Sequence, residues 1–133
     1  MVSRFADWKY PEIEDGSPTK FNWVVQNKKR FKMGFGCDIG AFSYINALND
    51  VVIEDDVQIG SHCSIYSVST IDGSHGRVLL KKNSRIGSHS TILPGVTIGK
   101  NSIVGAHSLV NKGIPDNVVA FGVPAKIIRK LNN

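Results

Sequence analysis

The chain has 133 residues and a formal net charge of +5. That length sets one domain, and no stretch approaches the roughly 20 apolar residues that a membrane-spanning helix needs. The positive balance suits nucleic acid or a small polyanion. The basic residues form no single tract, however, and no RNA-binding aromatic motif, zinc-finger spacing or helix-turn-helix pattern accompanies them, so a phosphate-bearing small molecule is the more economical partner.

Residues 1–32 carry no repeat and read as a capping segment. The stretch Met1 to Trp8 is too polar and aromatic for a secretory signal. Trp8-Lys9-Tyr10-Pro11 and Asp15-Gly16-Ser17-Pro18 read as irregular or turn structure. Phe21 to Val25 reads as a strand or a single turn that covers one end of the repeat region.

From Met33 onward an aliphatic residue returns every sixth position. Met33, Ile39 and Ile45 form one run, Ile53, Ile59, Ile65 and Ile71 a second, and Leu80, Ile86, Ile92, Ile98, Val104 and Val110 a third. Four places after most of them stands a small or β-branched residue, such as Cys37, Ser43, Val57, Cys63, Ser84, Ser90, Val96, Ser102 and Ser108. Neither the 3.6 period of a helix nor the 2 of a strand gives this spacing. A three-sided β-helix does, with one hexapeptide per side, the aliphatic residue inside and the small one at the corner.

Two steps are long, Ile45 to Ile53 and Ile71 to Leu80. Counted as one side each, they predict about four coils over residues 33–114. The stacks are then Met33/Ile53/Ile71/Ile92/Val110, Ile39/Ile59/Leu80/Ile98 and Ile45/Ile65/Ile86/Val104. The second long step must bulge outward with Asp72-Gly73-Ser74-His75-Gly76-Arg77. Outward aliphatics at Val52, Val68, Ile103 and Leu109 predict that part of the surface is covered by other subunits. Cys37 and Cys63 fall at small interior positions on different sides, which disfavours a disulfide and a nucleophilic role. Buried free thiols fit a reducing cytoplasm.

Residues 115–133 read as a second cap. Gly113 to Asn117 is a turn, Val118 to Phe121 a short strand, Gly122-Val123-Pro124 another turn, and Ala125 to Leu131 a short helix.

Three segments resemble a known family: Ile86-Gly87-Ser88-His89-Ser90-Thr91-Ile92-Leu93-Pro94-Gly95-Val96-Thr97-Ile98-Gly99, the stretch Val104 to Pro115, and Gly122-Val123-Pro124-Ala125-Lys126. Together they are similar to the hexapeptide-repeat acyltransferases, over residues 33–130 and most specifically over 80–130. The branch most resembled acetylates sugars or nucleotide-linked sugars of surface-polysaccharide pathways. The resemblance implies an all-β fold, a left-handed parallel β-helix. It implies a homotrimer with acetyl-CoA as acyl donor along the groove between prisms, a small-molecule sugar or nucleotide-sugar acceptor, no metal, and neither nucleic-acid binding nor membrane insertion.

It also implies roles. His75 matches the histidine that serves as general base on the bulging loop, taking the proton of a hydroxyl or amine as it attacks the thioester. A backbone N–H near Gly87 and Ser88 would meet the oxyanion. Ser88 and Ala106, with Gly87 and Gly105, match positions beside the pantetheine arm. Asn111 and Lys112 match a Thr-Lys pair near the phosphates, where Lys126 and Arg129 add charge. Asn46 matches an acceptor-binding asparagine. It falls on a different side of the prism from the His75 loop in this period-six frame, so the two would meet only across a subunit boundary.

The competing reading is a non-catalytic or metal-binding trimeric β-helix scaffold, as in the γ-carbonic anhydrases. Of the remaining histidines, His89 and His107 should stack one coil apart while His62 falls on another side. No two histidines are close in sequence, which disfavours a zinc site.

Overall fold

The computed structural model describes residues 6–132. The opening residues Met1 to Phe5, which belong to the stretch too polar for a secretory signal, lie outside the described residues. Among the described residues no helix is long and apolar enough to cross a membrane.

Short parallel strands wind into a three-sided left-handed β-helix of about five coils, with essentially no helix. The first face stacks Val24–Gln26, Tyr44–Asn46, Ser64–Tyr66, Thr91–Ile92 and Leu109–Val110. The second stacks Phe31–Met33, Val51–Ile53, Val78–Leu80 and Thr97–Ile98, and a bridge from Ile98 to Ile114 continues it. The third stacks Asp38–Ile39, Gln58–Ile59, Arg85–Ile86, Ile103–Val104 and Val118–Gly122.

The interior is filled by three aliphatic ladders, one per face: Val25/Ile45/Ile65/Ile92/Val110, Met33/Ile53/Leu80/Ile98/Ile114 and Ile39/Ile59/Ile86/Val104/Ala120. All are buried. The period-six frame therefore holds from Met33 to Ile65 and slips afterwards. Ile71 is not in a ladder. It is 93% exposed, and Leu80, Ile86 and Ile92 each sit one side earlier than the frame placed them.

The reason lies in the corner after Tyr66. The Ser67 amide and hydroxyl both bond the Asn46 carbonyl, at 3.0 and 2.7 Å, and the Gly76 amide bonds the Ser67 carbonyl at 2.9 Å. These bonds pinch the neck of a loop, so residues 68–75 leave the prism as a single corner excursion instead of forming a rung. The slip removes one rung, yet the count is about five coils rather than about four, because Val24–Gln26 already forms a rung of the first face and Ile114 and Val118–Gly122 continue the second and third.

Corners are closed by small residues that staple one coil to the next. Ser43 donates to the Gly60 carbonyl and accepts from the Cys63 amide, and Ser90 donates to the Gly105 carbonyl and accepts from the Ser108 amide. Each of these buried hydroxyls thus has both a donor and an acceptor partner, which burial demands. At the corner between third and first faces, glycines stack as Gly40, Gly60, Gly87 and Gly105. A Cβ on Gly60 would lie 2.6 Å from the Ser88 nitrogen, and one on Gly87 2.5 Å from the Ala106 nitrogen. Only glycine allows the coils to approach so closely there.

The C-terminal segment differs from expectation. Ala125–Lys130 is not a helix but a strand antiparallel to Val118–Gly122, forming a hairpin that ends the third face. Its apolar residues Ile127 and Ile128 are exposed. The strand's backbone instead satisfies the open edge of the sheet, the usual liability of a solenoid end. At the other end residues 6–14 pass beneath the first coil. Trp8 donates to the Cys37 carbonyl at 2.7 Å and packs edge-on against Phe35.

Candidate active site

The corner between first and second faces carries the loop with His75. The loop is held by its own backbone: the Ser69 amide bonds the Ser74 carbonyl at 2.8 Å, and the Gly73 amide bonds the Ser69 carbonyl at 3.0 Å. His75 pairs across it with Val68. The Asp72 carboxylate accepts from the Ser74 amide and hydroxyl at 3.0 and 2.8 Å, and those bonds hold it below the usual carboxylate range. Anchoring of this kind fixes where His75 stands while its ring stays exposed. Nδ1 lies 3.4 Å from the Gly73 carbonyl, a loose contact.

Asn46 stands on this same edge. It pairs with Tyr66, the residue before the loop neck, one coil away. The expectation that Asn46 and the loop lie on different sides is therefore corrected, and the frame slip after Ile65 is its cause. Asn46 is also occupied: its Oδ1 accepts from Asn27 Nδ2 at 3.0 Å and from the Leu48 amide at 3.1 Å. Asn111 and Lys112 lie on the same edge, exposed in the turn after Leu109–Val110.

Gly87, Ser88, Gly105 and Ala106 occupy the opposite edge of the first face, at the corner where the third face passes into it. The Gly87 amide is already used by the Val104 carbonyl at 2.8 Å. Lys126 and Arg129 are exposed on the hairpin strand that extends the third face. Within one prism the candidates thus fall in three places: His75, Asn46, Asn111 and Lys112 on one edge, the two Gly-Ser and Gly-Ala pairs on another, and the two hairpin cations beyond.

Sequence reasoning missed how the histidines assemble. His62, His89 and His107 all stand on the Gly-rich edge, with ring centroids 4.7 and 4.8 Å apart and planes within 8° and 17° of parallel. Phe42 continues the column against His62 at 5.1 Å. Placing His62 on another side was the same frame error. The signal was present, since Phe42, His62, His89 and His107 each follow a third-face ladder residue by three places. Their rings run parallel, so their nitrogens do not converge on a common point. Among the described residues no group of three His, Cys, Asp or Glu side chains could hold a metal ion.

Both cysteines are buried and free. Burial pushes the Cys37 thiol up to about 11 and raises that of Cys63 as well, so neither is a thiolate nucleophile near neutrality. A cavity of about 1030 Å³ beneath the first coil is walled by Trp8, Tyr10, Trp23 and Met33. None of the candidate catalytic, donor-binding or acceptor-binding residues lines it.

A parallel β-helix of hexapeptides does not by itself fix an activity, and comparison with known proteins narrows it. The bacterial transferase hexapeptide family (six repeats) matches residues 77–112. The galactoside O-acetyltransferase of Escherichia coli K12 is 39% identical over 127 residues, covering 84% of this chain and 63% of that protein. A solved galactoside acetyltransferase in complex with coenzyme A superposes with a TM-score of 0.76 at 32% identity, over 83% of this chain and 60% of that one. A Vibrio cholerae hexapeptide-repeat acetyltransferase complexed with acetyl-CoA superposes with a TM-score of 0.77 at 26% identity, over 84% and 66%. The chain carries the hexapeptide repeat of the bacterial transferases and is similar over most of its length to hexapeptide-repeat acetyltransferases. It spans between 56% and 64% of the length of the first three curated relatives it matches.

Proposed function

We propose that this protein transfers an acetyl group from acetyl-CoA to a hydroxyl or amine of a sugar, a nucleotide-linked sugar of a surface-polysaccharide pathway, and that it works as a homotrimer in a reducing cytoplasm. The observation that carries this reading is the likeness to the galactoside acetyltransferases, joined to an exposed histidine on a loop whose backbone is internally bonded. His75 takes the acceptor's proton as its oxygen or nitrogen attacks the thioester carbon. The tetrahedral oxyanion then collapses and expels the CoA thiolate, which leaves protonated as the thiol. Transfer is direct, because the two cysteines are buried with raised thiol pKa values and, among the described residues, no serine hydroxyl bonds a histidine ring; the Ser74 hydroxyl is spent on the Asp72 carboxylate within the loop.

The division of candidates between two edges supports assembly. His75 and Lys112 on one prism's loop edge form a single groove with Ser88 and Ala106 only if a neighbouring prism supplies the second edge. Lys112, Lys126 and Arg129 would then meet the donor's phosphates as point charges and a fork. Asn46, with its side-chain oxygen engaged within the coil and its Nδ2 donating to the Tyr44 hydroxyl at 3.4 Å, keeps one amide hydrogen for an acceptor.

Sedimentation of the purified protein at micromolar concentration should show a trimer, and calorimetric titration should show CoA binding to it. A monomer that retains full activity at that concentration would exclude the shared groove. A trimer that binds no CoA would exclude the donor.

A further inference from the structure

Where the first face turns into the second, three successive coils present a charged side chain at the same place. Phe31, Val51 and Val78 are register partners. The residues before them, Arg30, Asp50 and Arg77, therefore follow one above another on the edge that holds the His75 loop. Arg30 closes on Asp50 from the coil below as a two-pronged pair, Nε to Oδ1 and Nη2 to Oδ2, both at 2.9 Å. Both carboxylate oxygens are thus spent on one guanidinium. Those bonds hold the Asp50 carboxyl below the usual carboxylate range, and the nearby charges of Arg77 and Lys32 add to the effect. Three cations gather around one carboxylate. Arg77, on the coil above, is exposed and makes no hydrogen bond or ion pair of its own among the described residues, so its fork of N–H donors is uncommitted.

The backbone fixes this fork close to the candidate base. The Val78 amide bonds the Asp50 carbonyl at 3.0 Å, the Asn49 amide bonds Ser67 Oγ at 2.9 Å, and the Gly76 amide bonds the Ser67 carbonyl at 2.9 Å. The corner of one coil and the loop neck of the next are therefore tied together on both sides of Arg77. His75 is two residues away, so the two Cα atoms are at most about 7 Å apart. Over the neck lies Gly95, whose amide bonds the Gly76 carbonyl at 3.1 Å, and a Cβ there would meet nothing within 4 Å. That leaves room beside the guanidinium. The cations proposed for the donor's phosphates stand elsewhere. Lys112 is two coils further along this edge, about 10 Å at ordinary strand spacing, and Lys126 and Arg129 are on the hairpin.

We propose that Arg77 is an anion-binding residue for the acceptor: the sugar that receives the acetyl group carries an oxyanion, phosphate or carboxylate, which the Arg77 fork holds while the reacting hydroxyl or amine meets His75. This rests on the reading of the protein as a sugar acetyltransferase with His75 as base. A planar guanidinium grips two oxygens of one phosphate or carboxylate at once, which fixes orientation as well as position. Asp50 does not compete for Arg77, because Arg30 engages both of its oxygens. The local excess of positive charge is left for the ligand, with Lys32 adding to it from the second face.

The test compares initial rates for acceptors alike in sugar and different in charge. A nucleoside-diphosphate sugar, a sugar 1-phosphate and a uronic acid are each set against the matching neutral methyl glycoside. Wild type is compared with Arg77→Gln and Arg77→Lys, and the melting temperature checks the fold. The wild type should favour an anionic acceptor, and whether the phosphates or the uronic acid lead identifies the oxyanion. Arg77→Gln should raise KM for that acceptor roughly ten- to hundredfold, the worth of a charge-assisted pair. Its kcat, its KM for acetyl-CoA and its rate with the neutral partner should stay close to wild type. Arg77→Lys, which keeps the charge without the fork, should recover part of the loss. A wild type indifferent to acceptor charge would overturn the acceptor subsite while leaving acetyl transfer intact. So would an Arg77→Gln effect that falls on acetyl-CoA, or equally on neutral and anionic acceptors. Transfer to no sugar of the panel would remove the acetyltransferase reading, and this inference with it.

Discussion

His75→Ala should lower turnover with the true acceptor by roughly two to four orders of magnitude, the usual worth of a positioned general base. Its affinity for CoA should stay close to wild type, because the proposed donor contacts lie mainly on the Gly-rich edge and the hairpin rather than on the loop. This split separates a base from a structural loop residue. His75 packs against nothing in the core and is exposed, so its removal leaves the interior ladders untouched. His89→Asn and His107→Asn should cost much less in the chemical step, since those rings belong to the column. Single-turnover kinetics with and without His75 decide the matter. Near wild-type chemistry in His75→Ala would mean the loop does not supply the base.

The second large effect concerns stability and the place where the repeat slips. Ile65→Ala should destabilise the protein by about 2–5 kcal/mol, the range for truncating a fully buried aliphatic side chain. Ile65 is wholly buried between Ile45 and Ile92 in the first-face ladder. A hole there weakens contacts with both neighbouring coils, and a solenoid has no others to draw on. Ile71→Ala, the same chemical change six residues later, should alter stability by no more than about 0.5 kcal/mol, as for an ordinary surface substitution. Denaturant midpoints of the two variants measure the contrast. Comparable losses would return Ile71 to the core and restore the unbroken period-six frame.

How much the sequence revealed depends on what kind of information the repeat carries. A residue such as Ile53 or Ile98 announces its interior position by period alone, and both are interior. Period does not say how many sides an irregular step covers. The segment Thr70-Ile71-Asp72 looks like another rung because Ile71 falls six places after Ile65. What removes it is a set of long-range bonds, Ser67 to Asn46 and Gly76 to Ser67, that no local pattern encodes. That one misplacement propagates into the shifted ladders, the separation of Asn46 from the loop and the scattering of His62 from its column.

The C-terminal hairpin was illegible for a related reason. Ile127, Ile128 and Leu131 have helix-compatible spacing, yet the free edge of Val118–Gly122 offers backbone partners that a helix would leave unsatisfied. The loop histidine, by contrast, was legible from its glycine-flanked setting and its family resemblance together.

The most direct measurement of the proposed activity is thiol release from acetyl-CoA by the purified protein, followed against a panel of galactosides, amino sugars and nucleotide-linked sugars. Each product is examined by mass spectrometry. CoA thiol should appear only in the presence of a sugar from one of these classes, and that sugar should gain one acetyl group per thiol released. Thiol release that ignores every sugar in the panel, or a protein that binds acetyl-CoA and transfers nothing to any of them, would contradict sugar acetylation as the function.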